Sequence, residues 1–112
     1  MNVMQDKVLL SEAAAAVESQ PMTLLQESSL VLQVSGGATA LSLKALGTAN
    51  DPADKQAVWV ELAILNMSDF TVLQAVEKAG VYTVAVDGMR GFKVNLTSVS
   101  GGTVTVYGRA GA

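Results

Sequence analysis

The sequence predicts an all-β antiparallel β-sandwich, jelly-roll-like, of about seven short strands, with a short helical or extended N-terminal arm. Three observations predict it. Beyond Ser29 the apolar residues recur with period two, in runs rich in valine. Glycine-containing turns break those runs at roughly the 8–12-residue spacing of a sandwich or barrel. No helical stretch separates the runs, so neighbouring strands should pair antiparallel rather than through crossovers. A chain of 112 residues fits one such domain.

The N-terminal part follows another pattern. From Asp6 to Ser19, Leu9, Ala13 and Val17 recur every four positions with Leu10 and Ala14 beside them. That is one face of a short amphipathic helix. The Ala13–Ala16 run favours helix, and Pro21 stops it. Residues 20–29 read as an extended strap. A helix of about fourteen residues is marginal alone and needs a surface to dock on, either its own domain or a partner, and the strap that follows it favours the partner. The expected organisation is therefore a docking arm over 1–29 and a β-sandwich domain over 30–112. Leu9, Leu10, Ala13, Val17, Leu24 and Leu25 would form the docking row. Charge separates the two parts as well. Lys7 faces Asp6, Glu12, Glu18 and Glu27 in the first, a net of −3, whereas six basic and six acidic residues cancel in the second. The arm's glutamates would meet basic groups on the partner.

Along the second part, Leu30, Leu32 and Val34 alternate with Val31, Gln33 and Ser35 up to Gly36-Gly37. Leu41 and Leu43 alternate with Ser42 and Lys44, ending at Gly47. Residues 47–56 form a turn-rich loop without period. Val58, Val60, Leu62 and Ile64 then share one face, with Trp59, Glu61 and Ala63 on the other. Phe70 and Val72 follow, before a turn at Lys78-Ala79-Gly80. Tyr82, Val84 and Val86 alternate with Val81, Thr83 and Ala85. Phe92, Val94 and Leu96 alternate with Lys93, Asn95 and Thr97, and Val104 and Val106 close the series. Val84, Val86, Phe92, Val94, Leu96, Val104 and Val106 are the expected core.

Composition narrows function. Half the residues are hydrophobic and 15% are charged, against about a quarter in ordinary domains. A disordered chain is excluded, and so small a domain should leave apolar surface for other subunits. With no Cys and no His, disulfides, thiol nucleophiles and histidine bases are absent. An enzyme is not expected. Nor is nucleic-acid binding, because no basic stripe exists to neutralise phosphates. No cofactor or metal is expected. Asp51 and Asp54 lie in a Pro-containing loop and suit turn formation better than calcium ligation. Ser35-Gly36-Gly37 and Ser100-Gly101-Gly102 lack the Lys-Thr of a phosphate loop and read as turns. Gly88-Met89-Arg90-Gly91 matches an RNA-clamp loop only in its letters. Trp59 on a strand suits packing better than sugar stacking. Neither a signal peptide nor a stretch of about 18 apolar residues is visible, so no membrane partner is expected.

The ending Gly80-Val-Tyr-Thr-Val-Ala-Val-Asp-Gly88, Phe92-Lys-Val-Asn-Leu-Thr-Ser98 and Ser100-Gly-Gly-Thr-Val-Thr-Val-Tyr-Gly-Arg109 resembles small β-sandwich virion proteins of tailed bacteriophages. The resemblance covers about 30 residues well and leaves residues 1–29 uncovered. It departs where Lys93 stands alone on a strand that carries arginines in many relatives. It implies a head decoration, head-fibre or tail accessory protein. The function expected from it is capsid decoration, as a homotrimer bound to the major capsid protein or other virion proteins. Such a chain would sit on the capsid surface after assembly in the host cytoplasm. The alternative it leaves open is a tail-associated receptor- or carbohydrate-binding module.

Overall fold

In the computed structural model, which describes residues 4–111, the chain forms strands β1 (Met4–Ala13), β2 (Val17–Glu18), β3 (Met22–Thr23), β4 (Ser29–Ser35), β5 (Ala40–Thr48), β6 (Val60–Leu62), β7 (Ile64–Asn66), β8 (Val72–Leu73), β9 (Gly80–Ala85), β10 (Gly91–Ser100) and β11 (Val104–Gly111). They make two antiparallel sheets packed as a sandwich. One has six strands in the order β1-β11-β4-β9-β7-β8; the other runs β2-β10-β5-β6, with β3 also paired to β10.

The expected alternation holds where it was strongest. Ser29–Ser35 alternates exposed and buried along its whole length, and Leu30, Leu32, Leu43, Val84, Phe92, Val94, Leu96, Val104 and Val106 are sealed in the core between the sheets. Every member of the expected core set is buried.

The turns at Gly36-Gly37 and Gly101-Gly102 carry the chain from one sheet to the other, and they meet. Ala38 N–H donates to the Thr103 carbonyl (3.2 Å) and Thr39 N–H to that of Ser100 (3.0 Å). Gly36 has φ +121, and a Cβ there would lie 2.2 Å from the Thr103 carbonyl oxygen. Only glycine fits such an approach.

The N-terminal segment departs from expectation. Residues 6–19 are not helical. Met4–Ala13 is a ten-residue edge strand that pairs with β11 from Met4↔Gly111 to Ala13↔Val104. Ala14–Ala16, part of the alanine run that favours helix, is the bend that takes the chain to the other sheet. Bulges between Val8 and Leu10 and between Leu10 and Ala13 explain the misleading pattern. A bulge sets two consecutive residues on one side, so both Leu9 and Leu10 turn inward, which from the sequence looks like a helical face. Helix propensity is a weak prior that long-range pairing overrides.

Residues 17–23 then run beside β10, with Val17↔Leu96 and Met22↔Phe92 in register. The segment before residue 29 is thus woven into both sheets. The Val58–Ile64 run is also divided: β6 lies in one sheet and β7 in the other, switching at Ala63. Val58 and Val60 consequently face solvent and only Ile64 is sealed.

Candidate interaction surface

The six residues expected to dock on a partner are separated by the fold. Leu9, Leu10 and Leu24 lie in the core, and Ala13 packs against it. Only Val17 and Leu25 are exposed, Leu25 at 74%. The core leucines cannot reach a partner without unfolding β1 or the segment after β3, so they do not form a docking row.

Glu27, expected to face a partner's cations, is buried instead. Its Oε1 accepts from the N–H groups of Leu25 (2.6 Å) and Gln26 (2.9 Å), and its Oε2 from the Gln5 side chain. Burial pushes this carboxyl up, but the hydrogen bonds outweigh it and hold the group below its ordinary value. Gln5 also donates to the Thr23 carbonyl (2.6 Å). Glu27 and Gln5 therefore clip β1, β3 and the 25–26 turn together.

The loop acids act on their own turns. Asp51 Oδ1 accepts from Ala53 N–H (3.0 Å) and Asp54 Oδ1 from Gln56 N–H (2.9 Å). Among the described residues no group of three or more His, Cys, Asp or Glu is placed to hold a metal. Trp59 is half-buried, and the Lys93 ammonium sits 4.4 Å from its ring centre. Lys93 also pairs with Glu18, and Lys44 with Glu61, each at 3.2 Å. Those residues lie on the outer face of the five-stranded sheet, which is therefore laced with charge.

The outer face of the six-stranded sheet is different. Registers carry one row through Val8, Tyr107, Gln33 and Val81, and a second through Asp6, Arg109, Val31, Thr83, Leu65 and Val72. Val8, Val31, Val81 and Val72 are all exposed, Val72 at 68%. Polar side chains stand between them, Tyr107 and Gln33 separating Val8 from Val81 and Arg109 and Thr83 flanking Val31; at the β1 edge the Tyr107 hydroxyl donates to Asp6 (2.5 Å). That bond holds the Tyr107 phenol above its ordinary value.

The total exposed area, 6137 Å², is close to the ~5800 Å² expected of a folded monomer of this mass. What is unusual is the make-up of this face, not its extent. Four exposed valines on one sheet face, set among Tyr107, Gln33, Arg109 and Thr83, make it the candidate interaction face of the molecule. Its signal was already present in the sequence: Val31 and Val81 stand among the residues that alternate away from the core.

Comparisons with known proteins agree with this architecture. The XepA family model matches residues 4–110. The fold is similar to the crystal structure of the SPBc2 prophage-derived protein YomS, with a TM-score of 0.86 and 18% identity over 100% of this chain and 96% of that one. It is similar also to the PBSX exported protein XepA, with a TM-score of 0.88 and 20% identity over 99% of this chain. The chain spans 38% of the length of that XepA chain. No curated protein matches the sequence.

Proposed function

Because this chain belongs to the XepA family, we propose that it is a structural, non-enzymatic protein of a tailed bacteriophage, docked on the particle through the outer face of its six-stranded sheet. The observation that carries the reading is the set of exposed valines at positions 8, 31, 72 and 81, spread over two register rows of one sheet face. The prophage origin of YomS supports the phage setting. Asp51, Asp54 and Glu27 are engaged in structural hydrogen bonds, which fits a scaffold. On this reading the chain decorates the capsid as a decoration or head-fibre protein. It assembles there as a closed homo-oligomer, three being the number that the virion-protein resemblance implies.

Gradient-purified particles test the proposal. The chain should co-sediment with heads, and light scattering of the purified protein should give a closed oligomer. A double variant, Val31→Asp with Val81→Asp, should fold and lose particle occupancy, since unpartnered carboxylates are costly in an apolar contact. Wild-type occupancy of that variant, or absence from particles, overturns the reading. A second reading, a tail-associated binding module, is favoured by a cleft beside Tyr82; the chain would then sediment with tails.

A further inference from the structure

A cleft of about 170 Å³ opens between the β7–β8 turn and the segment leading into β9, where Asn66, Asp69, Leu73, Glu77, Lys78 and Tyr82 line it. Its walls are tied together by hydrogen bonds. Asn66 N–H donates to the Thr71 carbonyl (2.8 Å), and Phe70 N–H to that of Asn66 (2.7 Å). Tyr82 is buried, and its hydroxyl donates to the Lys78 carbonyl (2.7 Å).

The polar groups left over point to a ligand. Asn66 is 6% exposed, and its Oδ1 already accepts from the Ser68 N–H and hydroxyl, each at 2.9 Å. Those donors fix which end of the amide is the NH₂. Among the described residues this NH₂ finds no protein acceptor, yet no buried side-chain polar atom is sealed without a partner. The amide therefore opens into the cleft. Asp69 accepts both Thr71 donors on Oδ1, from the hydroxyl at 2.7 Å and from N–H at 3.1 Å. Oδ2 remains free to accept. Those Thr71 bonds, aided by Lys78, hold the carboxyl ionised below its ordinary value.

Two carboxylates repel a simple anion, and the Lys78 ammonium repels a simple cation. What satisfies carboxylate acceptors and amide and ammonium donors together is a set of neighbouring hydroxyls, each able to give and to take a hydrogen bond. Leu73 offers an apolar contact for a ring's C–H face. An enclosed cavity of about 150 Å³ takes benzene, so this cleft of about 170 Å³, open on one side, has room for one face of a single pyranose ring with its remaining hydroxyls in solvent.

We propose that this cleft binds one pyranose unit of a carbohydrate, held by Asp69, Glu77, Lys78 and the Asn66 amide. The site stands on the cleft alone and is independent of where on a particle the chain is mounted.

Amide NMR of the full chain, titrated separately with glucose, galactose and N-acetylglucosamine, tests the site. At least one sugar should give saturable millimolar shifts at Asn66, Thr71, Glu77 and Tyr82. Glu77→Gln, at an exposed position, should weaken binding about tenfold, or about 1.4 kcal/mol, with the rest of the spectrum unchanged. Trp59→Ala should leave affinity unaltered. A chitin tetrasaccharide bound more tightly than N-acetylglucosamine identifies a polymer as the source, and equal binding a free sugar; either supports the site. Three results overturn it: no saturation with any sugar, shifts centred on Trp59, or shifts at these amides with phosphate, calcium or glycine but with no sugar.

Discussion

Residues 4–27 and residues 29–111 both bury leucines between the same two sheets, but they are held differently. In the second region long, regular registers do the work: β5 and β10 stay paired from Gly91↔Thr48 to Ser100↔Ala40 with one irregularity. In the first, β1 is an edge strand interrupted twice by bulges, and β2 and β3 contribute two residues each. Side chains supply what the backbone does not. Glu27, Gln5 and Ser19, whose Oγ accepts from Val94 N–H (3.0 Å), fasten the segment to its neighbours. A strand can thus belong fully to a core while its own ladder is irregular, provided buried side chains and polar clips complete the attachment.

The largest test of this contrast is removal of residues 1–27. Leu9, Leu10, Met22 and Leu24 are all buried, and at about 1.5–3 kcal/mol each they represent a large share of the ~5–15 kcal/mol by which a domain is stable. The truncated chain should lose its cooperative thermal transition in calorimetry. A folded remainder with an intact transition would show the segment to be an appendage.

Single core substitutions come next. Phe92→Ala should cost about 3–5 kcal/mol and Leu9→Ala about 2–5 kcal/mol in urea unfolding. A cost below 1 kcal/mol for Leu9 alone would mean that the bulged strand yields where the regular one does not.

The clip is the third test. Glu27→Gln should destabilise by about 1–3 kcal/mol at neutral pH, the usual loss for a buried, charge-assisted network. The Glu27 pKa is lowered in the folded chain, so its contribution is complete above the unfolded-state value. It fades as pH falls through the folded-state value. Melting temperatures of wild type and variant should therefore converge on acidification. A gap that is independent of pH would remove the carboxylate from the account.

The smallest effects belong to the charged outer face. Lys44→Ala should change stability by under about 1 kcal/mol, since exposed ion pairs are worth little. Lys93→Ala removes both an ion pair and the contact with Trp59 and should cost somewhat more, the ring contact adding about 0.5–1 kcal/mol. Equal costs for the two lysines, measured by urea unfolding, would show that the ring contact adds nothing.

The all-β sandwich was legible because its signals are local. Valine alternation in Leu30–Val34, Tyr82–Val86 and Phe92–Leu96 selects one face every two residues, and Gly36-Gly37 and Gly101-Gly102 mark where the chain must turn. The same locality misled at Leu9-Leu10 and Ala13–Ala16. There the deciding partner is β11, and Asp6 meets Tyr107 from 101 positions away.

No periodicity in a ten-residue window records a bulge imposed by so distant a strand, nor that a glutamate counted as arm charge would be folded inside. The cleft is of the same kind. Asn66, Asp69, Glu77 and Tyr82 show no motif spacing, and they converge only because β7, β8 and β9 are neighbours in one sheet. Local chemistry determined which residues seek burial. Strand pairing across the length of the chain determined which of them share a wall, because antiparallel register is a relation between two segments and is written in neither alone.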